Sequence, residues 1–138
     1  MFNSRLFGYS GIMLTSKILI VEDDPAYRLL LKRMLENEGF SDISEAETGE
    51  QALHSVLNDS PDLVLMDIEI PCGNGIETTR KIMAVRPNSK IVIITGFGTP
   101  ARAMESINAG ACNFLLKPFE IQHIRPVIRQ ALRTDARS

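Results

Sequence analysis

Leu63-Val64-Leu65-Met66-Asp67 is the stretch whose reading decides the fold. Four apolar residues in a row leave no polar face, which suits a central parallel strand covered by helices on both sides better than a half-exposed antiparallel one. The run ends in a carboxylate, and in open parallel sheets ligands sit in the crevice beyond the carboxyl ends of the strands. Asp67 is therefore a candidate site residue, and the ends of other apolar runs supply its partners.

Upstream, Ile18-Leu19-Ile20-Val21 reads as the first strand, closed by Glu22-Asp23-Asp24. Asp24 before Pro25 predicts a helix start, with Asp as cap and Pro at the first helical position. Tyr27, Leu30, Leu31, Met34 and Leu35 form one apolar stripe of that helix, which Gly39 can end. Ile43 to Ala46 is a weaker second strand. Thr48-Gly49-Glu50-Gln51 has the form of a capping box for a helix to about Asn58, with Ala52, Leu53, Val56 and Leu57 inside.

Downstream, Pro71 and Gly73 make a loop of Ile68 to Asn74, and Asn74 to Glu77 opens a helix through about Val85. Lys90 to Thr95 is the fourth strand and ends at a hydroxyl. Gly96-Phe97-Gly98 connects it to a helix started by Thr99-Pro100 and ended by Gly110, with Ala103, Met104 and Ile107 expected inside. Asn113 to Leu116 is the fifth strand, followed by Lys117-Pro118-Phe119 and a helical pattern through Ile121, Ile124, Ile128, Ala131 and Leu132. Pro126 inside that pattern is expected to kink the helix or delay its regular part. Five strands alternating with five helices predict an α/β, doubly wound (βα)5 parallel sheet.

At 138 residues the chain fits one domain able to bury about 70% of its unfolded surface. Apolar residues at 44% and charged residues at 23% are ordinary for a globular protein, and a net charge of -2 argues against a nucleic-acid surface. Cys72 and Cys112 lie far apart and form no CxxC, and His54 and His123 stand alone, so neither a disulfide framework nor a zinc site is supported. They fit reduced thiols in a cytoplasmic protein and exposed helix residues. No run approaches membrane-spanning length.

Parallel strands would open Glu22, Asp23, Asp67, Thr95 and Lys117 on one edge. Two carboxylates about 4 Å apart repel by roughly 4 kcal/mol at an effective dielectric near 20, so three together hold a proton or a cation. Oxygen-only ligands favour Mg²⁺. The three carboxylates, one divalent ion and the Lys117 ammonium sum to zero charge, leaving Asp67 free as a nucleophile for a phosphoryl group. Thr95 and the Gly96 N–H could then complete the hydrogen bonds of the phosphoryl oxygens.

The fragments ILIVEDD, LVLMDIEIP, VIITG and FLLKPF, in this order and spacing, resemble the receiver domain of bacterial response regulators, from about Lys17 to Arg133. The resemblance implies a flavodoxin-like sheet of order 2-1-3-4-5. The chain is read as a loosely ordered extension at 1–15, which carries one charge and a broken apolar segment, a receiver domain at 16–135 and a tail at 136–138. The resemblance makes Asp67 the phosphoacceptor of a two-component system, taking its phosphoryl group from a histidine kinase or a histidine phosphotransfer protein. Asp23, Asp67 and the Glu69 backbone carbonyl would ligate Mg²⁺, and Glu22 would act through water. Lys117-Pro118 would be cis, with the ammonium in the pocket.

The resemblance also makes Thr95 and Phe114 a switch pair that biases the surface of the fourth helix, fifth strand and fifth helix toward a downstream effector or a homodimer. It implies a signalling switch rather than an enzyme, limited to self-catalysed phosphotransfer and slow autodephosphorylation. Glu69 and Phe97 occupy positions that tune hydrolysis of the acyl phosphate, and Phe97 is expected to screen it from water. Asp24 is read as a cap rather than a ligand, and Arg125, Arg129 and Arg133 as a solvated stripe or part of a partner surface. Two rivals are a Mg²⁺-dependent aspartyl phosphatase, which would want Asp-x-Asp-x-Thr after its first strand, and a flavodoxin-like flavin binder, whose phosphate loop the Glu22-Asp23-Asp24 acids would repel.

Overall fold

The computed structural model describes residues 14–133. Most of the extension expected at 1–15 and all of the tail at 136–138 lie outside the described residues. Within them the elements alternate without exception: β1 (Ile18–Val21), α1 (Pro25–Asn37), β2 (Ile43–Ala46), α2 (Gly49–Asp59), β3 (Leu63–Asp67), α3 (Gly75–Val85), β4 (Ile91–Thr95), α4 (Pro100–Ala109), β5 (Asn113–Leu116) and α5 (Ile121–Leu132). All strand pairs are parallel, in the order β2-β1-β3-β4-β5.

The capping signals in the sequence set the helix starts. Asp24, Thr48, Asn74 and Thr99 each accept a backbone N–H of the first turn, from Ala26, Gln51, Glu77 and Arg102 respectively. Gly39 and Gly110 adopt φ of 105° and 114° just past α1 and α4, a region where a side chain would be strained. α5 continues on both sides of Pro126.

β1, β3 and β4 are buried along their whole length, so alternate side chains feed two apolar layers. Leu19, Val21, Val64, Met66, Ile91 and Ile93 meet Ala52 and Val56 of α2, Ile76 and Ile82 of α3, and Ala109 of α4. Ile18, Ile20, Leu63, Leu65, Val92 and Ile94 meet Leu31 and Leu35 of α1 and Ile124, Ile128 and Leu132 of α5. Each fully buried Leu or Ile contributes about 1.5–3 kcal/mol. β2 and β5 are edge strands and only partly covered, which is why their patterns are weaker.

Four expected inner residues face out instead. Leu30 is 44% exposed, Leu57 43%, Met104 64% and Ile107 50%. In α4 the small residues Ser106 and Ala109 take the inner face, letting the helix approach the sheet and turning Met104 and Ile107 to solvent.

Candidate functional site

Strand register assembles the site. Val21 lies beside Met66, Asp67 beside Ile94, and Thr95 beside Leu116, so Glu22, Asp67, Thr95 and Lys117 end their strands at one rim. Three backbone bonds hold that rim: Glu22 N–H to Ala46 O at 3.0 Å, Ile68 N–H to Ile94 O at 3.1 Å, and Lys117 N–H to Thr95 O at 2.8 Å.

Glu22, Asp23 and Asp67 each present a carboxylate oxygen within 4.8 Å of the others. Glu22 and Asp67 are buried, while Asp23 is open to solvent. The Lys117 ammonium donates to Glu22 Oε1 at 2.7 Å and to Asp67 Oδ2 at 3.1 Å. The Lys117-Pro118 bond is cis. Burial works against the lysine charge, but its bonds to Glu22 and Asp67 outweigh that and hold its pKa above the ordinary value. Asp67 moves the other way from an ordinary carboxyl: burial first, then the Glu22 charge, push it up to about 7 against the pull of Lys117.

The other Glu22 oxygen accepts the Asp24 N–H at 3.1 Å, so both Glu22 oxygens are engaged. Asp67 is engaged on both oxygens as well, by Lys117 and by the Glu69 N–H, which leaves Asp23 as the open, solvent-facing acceptor of the three. Asp24 itself caps α1 through Ala26 N–H at 3.1 Å and does not turn into the pocket cluster. The donor set is all oxygen and three-fold anionic, which fits a hard divalent cation such as Mg²⁺.

Thr95 is fully buried. Its hydroxyl donates to the Glu69 carboxylate, with Oε1 at 3.0 Å and Oε2 at 3.1 Å, and accepts the Phe97 N–H at 3.1 Å. The Glu69 N–H donates to Asp67 Oδ1 at 3.2 Å. Gly96 lies at the rim with open space where a side chain would stand. Phe114 is half-buried and packs against the layer of α2, α3 and α4. Phe97 is 65% exposed.

Two contacts escaped the sequence reading. Arg102, in the first turn of α4, holds Glu69 Oε2 at 2.9 Å. Tyr27 of α1 places its ring under the Lys117 ammonium, 4.3 Å from the centroid, and stands edge-on to Phe119 at 6.1 Å. Among the described residues its buried hydroxyl has no hydrogen-bond partner. Within the basic stripe, Arg125 makes a two-pronged bond to Glu38 at 2.8 and 3.0 Å and ties α5 to the end of α1. His54 and His123 are exposed; His123 Nδ1 accepts the Glu120 N–H at 3.1 Å. Cys72 and Cys112 are free and exposed.

A family model described as the response regulator receiver domain matches residues 18–129. The chemotaxis protein CheY of Thermotoga maritima is 38% identical over 104 residues, covering 75% of this chain and 87% of that protein. Sporulation initiation phosphotransferase F of Bacillus subtilis is 37% identical over 120 residues, 87% of this chain and 96% of that one. A solved CheY-like receiver domain from Methanospirillum hungatei superimposes with a TM-score of 0.80 at 32% identity, covering 86% and 94% of the two chains. The receiver domain of sensor histidine kinase PA1611 from Pseudomonas aeruginosa, solved with a magnesium ion coordinated in its active site cleft, does so at 0.79 and 26% identity, covering 86% and 98%. With its fold, its strand-end acids and lysine, and these matches in agreement, the chain belongs to the response regulator receiver domain family.

Proposed function

We propose that Asp67 is the phosphoacceptor of this receiver domain, with a histidine kinase or histidine phosphotransfer protein as donor. A carboxylate oxygen of Asp67 attacks the phosphorus, forming a new O–P bond. The bond from phosphorus to the donor's leaving atom breaks, and its electron pair departs with the donor. What carries this reading is Lys117, brought from the end of β5 to within hydrogen-bond distance of Asp67 and Glu22 together. The ammonium can follow the charge onto the phosphoryl oxygens, while Glu22 keeps it oriented.

Asp23, Asp67 and the Glu69 backbone carbonyl would hold Mg²⁺, and Glu22 would act through water, as the family resemblance implies. When bound, the ion supplies positive charge for the transferring group. The Thr95 hydroxyl would leave Glu69 for a phosphoryl oxygen, the Gly96 N–H would donate to the same group, and Phe114 would turn further inward. Met104, Ile107 and Leu116 stand 64%, 50% and 49% exposed on α4 and β5, an apolar surface suited to a downstream effector or a second copy of the chain.

Turnover is limited to self-catalysed uptake and slow hydrolysis of the acyl phosphate. No helix among the described residues is long and apolar enough to cross a membrane, and a cytoplasmic setting fits the soluble kinase domains that would serve as donors. The test is incubation with acetyl phosphate and Mg²⁺. One base-labile phosphoryl group should appear on the wild-type chain and none on Asp67→Ala; labelling that survives the substitution would refute the assignment.

A further inference from the structure

This inference rests on the reading of Asp67 as phosphoacceptor and concerns the ion pair at its rim. Glu69 lies two residues past Asp67, and its carboxylate adds a fourth negative charge to Glu22, Asp23 and Asp67. Phosphodonors are anions, so an uncompensated Glu69 would repel them at the mouth of the pocket. Arg102 Nη1 stands 2.9 Å from Glu69 Oε2, with both side chains 37% exposed.

The guanidinium comes from an anchored piece of backbone. Arg102 N–H donates to the Thr99 hydroxyl at 3.1 Å in the cap of α4, and its carbonyl accepts the buried Ser106 hydroxyl at 2.8 Å. The carboxylate that Arg102 holds is the one that accepts the Thr95 hydroxyl. Arg102 therefore both offsets the charge of the Glu69 carboxylate and holds the direction in which it points.

We propose that Arg102 is a positioning residue for phosphoryl uptake: by neutralising and holding the Glu69 carboxylate it keeps the pocket mouth accessible to anionic phosphodonors. It acts through Glu69 rather than on the reacting atoms. Its loss therefore changes the donor concentration needed more than the rate at saturation, and the change fades as salt screens the rim.

The test measures Asp67 phosphorylation against acetyl phosphate concentration, with Mg²⁺, in wild type, Arg102→Ala, Arg102→Lys and the double variant Arg102→Ala with Glu69→Gln. At low salt Arg102→Ala should raise the half-saturating donor concentration about three- to tenfold, and at about 0.5 M salt the difference should shrink to within about twofold. Arg102→Lys should stay near wild type. The double variant should recover, because the amide introduced by Glu69→Gln can still accept the Thr95 hydroxyl but carries no charge. An Arg102→Ala chain equal to wild type at low salt, one impaired mainly in saturating rate at both salts, or a double variant no better than the single one overturns the inference alone. A wild-type chain that takes up no phosphoryl group overturns the underlying reading as well.

Discussion

The Lys117 ammonium stands closer to Glu22, at 2.7 Å, than to the Asp67 oxygen it also contacts, at 3.1 Å. Two acids from neighbouring strands thus share one cation, and the cation is what makes their common burial tolerable. Lys117→Ala leaves the acids uncompensated and should cost about 1–3 kcal/mol at pH 8. At pH 5 the cost should be smaller, because Asp67 can then take a proton. Urea unfolding at the two pH values checks this; an equal cost at both would show that the acids are not what Lys117 serves.

Asp67 gives stability its own pH dependence. Its pKa is about 7 in the folded chain against an ordinary 3.8, so its protonated form favours folding. That contribution is complete below 3.8 and is lost as pH rises through about 7. Asp67→Asn removes the loss, and without divalent ions the variant should be more stable than wild type at pH 8 by about 1–2 kcal/mol, less than the full shift because the pocket mouth admits water. Below pH 4 the two should converge. Thermal melts across that range provide the measurement.

Tyr27 separates a ring from a hydroxyl. Tyr27→Phe keeps the face under Lys117 and removes a buried hydroxyl that has no partner among the described residues, so stability should hold or rise by up to about 1 kcal/mol. Tyr27→Leu loses the ring and should cost about 1–2 kcal/mol. Equal stability of the Phe and Leu variants would remove the ring from the account.

Gly75 begins α3 tight against the end of β3, where Asp67 stands. Its N–H donates to Ile68 O at 2.8 Å, and a Cβ there would run into the Asp67 carbonyl oxygen. Gly75→Ala must displace one of them and should cost about 2 kcal/mol or more, with a matching fall in phosphorylation rate. Circular dichroism melts and the acetyl phosphate assay read the two effects.

Much of this could be read from the chain before its structure. The strands of the centre announce themselves as unbroken apolar runs because both of their faces are covered, and Asp24, Thr48, Asn74 and Thr99 carry the local chemistry of a helix start. Facing was harder. A helical stripe gives a direction to within about one residue, and only packing decides whether Ile107 or Ser106 turns inward; in α4 the smaller residue wins because it lets the helix come close. Pairs such as Arg102 with Glu69 and Arg125 with Glu38 lie 33 and 87 residues apart, and charge alone does not reveal them. The Lys117 site was legible for a different reason, since strand ends in a parallel sheet share one edge whatever their separation.

The most direct measurement is a structure of the chain with Mg²⁺ and beryllofluoride. The account predicts one beryllofluoride group on an Asp67 oxygen, with Lys117 Nζ, the Thr95 hydroxyl and the Gly96 N–H on its fluorines, and with Asp23 and the Glu69 carbonyl on the metal. Beryllofluoride bound elsewhere, or bound at Asp67 with Thr95 still on Glu69 and Lys117 turned away, would contradict it.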